Sequence, residues 1–218
     1  MLSEPNPQKF VLPARLWWLR PLQLVIIDLS DWLFVWVIIN VLWVLCSVTV
    51  ILFPAATASL FALAYASYRN QAPSPRQFLH GIRQWFIPAT VWMLINLIGV
   101  GGLWAVSLVI DPQSVWVGVI AVLIGLVVLS QLFLWPYMMI QETPRLGLAW
   151  RNSLFTILGG LPYALFYGVI IAVIFIPSLI VIAPILLLTP VLLSLLITFG
   201  LIAWLEQQGV MQNPHREI

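Results

Sequence analysis

Charged residues are scarce in this sequence: nine Lys or Arg and seven Asp or Glu among 218 residues, or 7%. A soluble domain typically carries about 25%, so this little charge excludes a water-facing globule of such size. Cysteine is almost absent. Cys46 stands alone in an apolar run, which excludes an intrachain disulfide or a cysteine metal cluster and reads as a small buried hydrophobe. A dense basic patch is missing too. Lys9, Arg15, Arg20, Arg69, Arg76, Arg83, Arg145, Arg151 and Arg216 are spread one or two per loop, so the net charge of +2 does not indicate a nucleic-acid partner.

Signatures of catalysis and energy coupling are also lacking. There is no His-Glu-x-x-His pair and no phosphate loop of the Gly-x-x-x-x-Gly-Lys type. No charged residue falls at the expected bilayer depth, where each would cost at least about 2.5–3.5 kcal/mol. Asp28 and Asp31 precede the first span, Asp111 sits at an outer turn, and Glu142 and Glu206 flank span ends. This argues against a proton-driven pump, a voltage sensor and a protease with paired intramembrane aspartates. His80 in a loop reads as solvated or headgroup-facing, and His215 lies in the tail. The expectation is a non-enzymatic protein without catalytic, cofactor-binding or metal-ligating residues.

What is abundant is hydrophobicity, at 62%. A span takes about 20 apolar residues to cross roughly 30 Å of hydrocarbon. Six spans are expected: 32–46 with length borrowed from its flanks, 54–68, 85–110, 114–140, and two within 154–202. Pro177-Ser178 is the expected break between the last two, with Pro184 and Pro190 competing. A turn at 47–53 would put Pro54 in the first turn of the second helix, where its missing N–H does no harm. The alternative is one long helix kinked at Pro54. Asp111-Pro112 marks a tight polar turn. Residues 16–29 read as an interfacial, partly helical lead-in, and the charges and prolines before them do not suit a cleavable signal peptide. The fold class is therefore all-α: a polytopic transmembrane helical bundle of about six spans. It forms a single domain over 1–218, with an interfacial N-terminal segment 1–31, the bundle 32–205 and a tail 206–218.

With both ends in the cytoplasm, the inner segments are 1–31, 69–84, 141–152 and 206–218, and all nine Lys and Arg fall in them. The outer loops carry only Asp111, as the positive-inside rule demands. Trp17, Trp18, Trp32, Trp85, Trp150 and Trp204 fall near the inner interface and Trp104 and Trp116 near the outer one, while Trp36, Trp43, Trp92 and Trp135 are expected to pack between helices.

The two large inner loops echo each other: Ser74-Pro75-Arg76 with Arg83 and Trp85, and, 69 residues on, Thr143-Pro144-Arg145 with Trp150 and Arg151. Ser or Thr before Pro is a good helix start, so each loop is expected to hold a short amphipathic helix on the inner membrane surface. Arg76, Arg83, Arg145 and Arg151 are the candidate partner-docking residues; ordinary capping and headgroup anchoring are the simpler explanation. At depth the polar residues are neutral, with Asn40, Asn96 and Gln131 the candidate intramembrane positions. Such side chains commonly bond between helices; lining a path for a neutral solute is the functional alternative. Gly99, Gly101 and Gly102 suggest close helix packing.

One stretch resembles a known family. Asn40-Val41-Leu42-Trp43, Ser47-Val48-Thr49 and Pro54-Ala55-Ala56-Thr57-Ala58, followed by the polar loop 69–83, are similar to the YesL-like family of small bacterial membrane proteins, a domain of unknown function. Val48 and Phe53 depart from it, where proline and glycine are frequent. The resemblance implies a multi-pass bacterial plasma-membrane protein. Its genes often neighbour those of carbohydrate ABC importers and two-component regulators, and it carries over no catalytic residue. The leading expectation is an accessory component of carbohydrate ABC-type uptake, embedded in the lipid bilayer, with a permease or membrane sensor as partner. A homo-oligomer is left open. The alternative is a self-contained facilitator or channel for a neutral small solute.

Overall fold

The computed structural model describes residues 14–111, 114–180 and 188–211, and every regular element among them is helical. A 3-10 turn, Ala14–Leu19, leads into α1 (Arg20–Val48), followed by α2 (Phe53–Tyr68), α3 (Pro75–Val109) and α4 (Val115–Ile140). Then come α5 (Leu146–Gly159), α6 (Leu161–Ile180) and α7 (Thr189–Gln207). Five segments are long and apolar enough to cross a membrane: Trp17–Val48, Pro75–Val109, Val115–Ile140, Leu161–Ser178 and Thr189–Gln207. The chain is a polytopic helical membrane protein. Lys9, Pro112, Pro184, His215 and Arg216 lie outside the described residues.

Local chemistry sets most helix starts. Pro21, Pro54, Pro75 and Pro190 each occupy the first turn of a helix, where a missing N–H costs nothing. Ser74 caps α3, accepting the Gln77 N–H at 3.2 Å. The hairpin expected at 47–53 forms: α1 ends at Val48, and the Thr49 hydroxyl donates to the Cys46 carbonyl at 2.7 Å. The lead-in and first span are one helix, kinked at Trp32, whose φ of −123° and ψ of 22° are not helical.

Burial is unevenly shared. In α7, 67% of the most apolar window is buried inside the bundle, against 6% in α3. In α2, Ala55, Ala56, Ala58, Ser59 and Ala64 are fully buried. Small side chains let neighbouring backbones approach, and in lipid that close packing is a main source of helix association. So α2 and α7 form the centre, and the long apolar faces of α1, α3, α4 and α6 turn outward.

Helix α2 has 16 residues, about 24 Å. It runs antiparallel to α1: Trp43 Nε1 donates to Thr57 Oγ1 at 3.2 Å, and the Ser67 hydroxyl donates to Asp28. At the same end of the bundle Arg20 Nη1 lies 3.5 Å from Glu206 Oε2. The start of α1 thus meets the end of α7, which requires an even number of passes. Counting α2 makes six.

Four local expectations need correction. The break between the last two passes is not at Pro177-Ser178, because α6 continues through Pro177 to Ile180. The Ser178 hydroxyl donates to the Ile174 carbonyl at 2.7 Å, the kind of bond that lets a membrane helix tolerate proline. The last two passes part between Ile180 and Thr189, and Pro190 lies in the first turn of the last one; a further break falls at Gly160, so residues 154–159 belong to α5 and the fifth pass starts at Leu161. A β-carbon at Gly160 would stand 3.0 Å from Trp204 Nε1, so glycine is what fits between α5 and α7 there. The 74–84 loop holds no separate surface helix, since α3 runs unbroken from Pro75 through Pro88 to Val109. Thr143 is not a cap: α5 begins at Leu146, and Gln141 Oε1 accepts the Arg145 N–H at 2.9 Å instead. The glycine patch is also not a packing seam, for a β-carbon on Gly99, Gly101 or Gly102 would meet nothing within 4 Å.

Candidate functional site

The inner end of the bundle collects the exposed arginines among the described residues. Arg76 lies in the first turn of α3 and Arg83 two turns later; Arg145 precedes α5 and Arg151 lies within it. All four are exposed, and among the described residues none makes an ion pair. The α2–α3 and α4–α5 packings flanking these loops are the most extensive in the bundle. Each is pinned by a serine. Ser59 Oγ donates to the Phe78 carbonyl at 2.6 Å, and Ser153 Oγ donates to the Ser130 carbonyl at 2.5 Å. The echo between the two loops is therefore repeated in how their helices are fastened.

Between α2 and α3 an open groove of about 400 Å³ reaches this inner end. Helix α2 supplies Ala62, Leu63 and Ala66; α3 supplies Arg76, His80 and Gln84, with Gln71 and Gln77 beside them. The sequence singles out Arg76 here but not the groove, which forms only where the start of α3 packs against α2.

The intramembrane polar residues behave differently. Trp92 Nε1 donates to Gln131 Oε1 at 2.6 Å, Gln131 Nε2 donates to Asn96 Oδ1 at 2.8 Å, and Asn96 Nδ2 donates to the Trp92 carbonyl at 2.8 Å. Gln131 Nε2 also reaches the Val127 carbonyl at 3.2 Å. Asn96 and Gln131 are thus brought together and spend their hydrogen bonds on α3 and α4. Asn40 is wholly buried on α1. The second cavity, about 280 Å³, is an apolar cleft between α4 and α6 lined by residues such as Leu132 and Phe175.

One constellation was not anticipated. Asp28 accepts from Trp36 Nε1 at 2.8 Å and from the Ser67 hydroxyl; Glu206 accepts from the Tyr68 hydroxyl and faces Arg20. Consecutive residues at the end of α2 thereby hold one carboxylate on α1 and another on α7. The Asp28–Trp36 bond spans more than two turns and closes across the kink at Trp32, so helical spacing gave no signal for it; the partnership of Glu206 with Tyr68 had none either. The deep tryptophans are where expected, with Trp36, Trp92 and Trp135 buried and Trp43 bonded to Thr57, while Trp104 and Trp116 are exposed. Trp85, expected in the inner belt, is buried.

Residues 36–108 match a family described as "Protein of unknown function, DUF624". The matched stretch runs from Trp36 in α1 to Leu108 near the end of α3 and contains the whole groove. No curated protein matches the chain. No solved structure matches it either.

Proposed function

We propose that this protein is a non-enzymatic component of the bacterial plasma membrane, YesL-like in kind, that docks a partner on its basic inner face in the cytoplasm. The partner in this reading is the permease or membrane sensor of a carbohydrate ABC-type importer. One observation carries the docking: Arg76 and Arg83 in the first turns of α3, and Arg145 and Arg151 at the start of α5, are exposed, and none is spent on an ion pair among the described residues. Exposed cations not engaged in ion pairs are free to steer and orient an anionic partner surface. The carbohydrate context comes from the family resemblance of residues 40–58 and the loop after them. A self-contained facilitator is less well supported, because Asn96 and Gln131 would have to meet a solute and instead bond to each other and to Trp92.

Photocrosslinking from positions 83 and 151 in native membranes tests the docking. The expected product is a permease or sensor subunit, and its yield falls when Arg83 and Arg151 are changed to Gln. Membranes that contain the importer but give no such product overturn the reading.

A further inference from the structure

The α2–α3 groove has a specific chemical complement. On α3, Arg76, His80 and Gln84 are spaced four apart and stack along one stripe. They cover about 12 Å of helix rise, more than the roughly 5–7 Å of headgroup layer on each side of a bilayer. On the same turns α3 exposes Leu79 and Ile87, so this part of the helix stands against hydrocarbon as well as water. The α2 side offers only Ala62, Leu63 and Ala66, small and apolar.

The electrostatics have one sign. Between Asp31 and Asp111 there is no acidic residue, while Arg69, Arg76 and Arg83 all fall in that interval. A carboxylate ligand to Arg76 is thus absent from its own helix pair. An exposed guanidinium, an imidazole and an amide facing an apolar floor suit a phosphodiester joined to glycerol. Arginine is well matched to phosphate oxygens, which it can bind in bidentate fashion.

We propose that this groove holds the headgroup of an anionic phospholipid. Arg76 meets the phosphate, His80 and Gln84 bond to headgroup oxygens, and the glycerol rests on Ala62, Leu63 and Ala66. The lipid arrives from the bilayer, because the helix bearing the polar stripe exposes apolar side chains at the same level. The inference goes beyond the docking reading and needs no protein partner.

The test uses the full chain in a neutral detergent. Native mass spectrometry compares retention of phosphatidylglycerol and phosphatidylcholine with identical acyl chains. The natural chain is expected to retain phosphatidylglycerol preferentially. Arg76→Gln lowers that retention about fivefold, the loss expected for one arginine near an anionic surface. Ala62→Leu, which fills the floor without altering charge, lowers it too, and Arg145→Gln leaves it intact. Equal retention of the two lipids overturns the proposal. So does an Arg145→Gln loss as large as that of Arg76→Gln, which would mean diffuse attraction, or displacement of the lipid by millimolar inorganic phosphate, which would mean a free-anion site. A lost crosslink at positions 83 and 151 with intact lipid preference sinks the docking reading alone.

Discussion

Gly81 of α3 packs so tightly on Ser59 of α2 that a β-carbon at position 81 would collide with the serine hydroxyl, which is already bonded to the Phe78 carbonyl. The serine cannot turn away without abandoning that buried bond. Gly81→Ala should therefore destabilise the bundle by about 1–3 kcal/mol, the usual cost of overpacking. Gly101→Ala and Gly102→Ala, with open space around them, should be neutral or gain about 0.5–1 kcal/mol from helix propensity. Thermal unfolding in detergent separates the two classes; equal effects would contradict the packing.

The Trp92–Gln131–Asn96 group predicts coupling. Gln131→Leu removes the acceptor for Trp92 and the donor to Asn96, and should cost about 1 kcal/mol, typical of interhelical bonds in membranes. Asn96→Ala should cost less in that background than in the natural chain, because the two residues share one bond. Strictly additive losses would show that the network is not formed.

At the inner end, Tyr68→Phe deletes the hydroxyl that donates to Glu206. A loss of about 1.5–3 kcal/mol is expected, the range for hydrogen bonds to charged groups. Arg20→Ala should lose no more than about 1 kcal/mol, because its side chain is 38% exposed and the pair is long. Denaturation midpoints of both variants decide the order, and a larger effect at Arg20 would reverse the assignment.

The passage of α2 across the membrane can be read by labelling. In a Cys46→Ala background, single cysteines at Val50 and Asp111 should react with an impermeant reagent from one side, and cysteines at Gln71 and Gly209 from the other. If Val50 and Gln71 label from the same side, α2 is not a pass and the even count fails.

How far could these features be read from the sequence? The α1–α2 hairpin, the Ser74 cap and the deep tryptophans were legible, because each depends on residues within a turn or two of itself. Pro177 misled because proline locally tends to end a helix, whereas a membrane helix tolerates it where neighbouring groups re-satisfy the backbone. Ser74 and Thr143 have the same local chemistry, yet only Ser74 caps, since a glutamine side chain satisfies the N–H before α5. The glycines failed for a different reason. Composition shows that a residue is small; only tertiary placement shows that Gly81 and Gly200 face a neighbour and Gly101 does not. The inner carboxylate cluster was invisible because its bonds join residues 39, 138 and 186 apart.

Helix α7 follows all the others in chain order and yet occupies the middle. During synthesis the preceding segments must enter the bilayer with their mutual surfaces still solvated by acyl chains, around a slot that nothing yet fills. The central packing of these helices therefore waits for α7. A ribosome that stalls after α6 leaves α2 without its central neighbour rather than a smaller version of the protein.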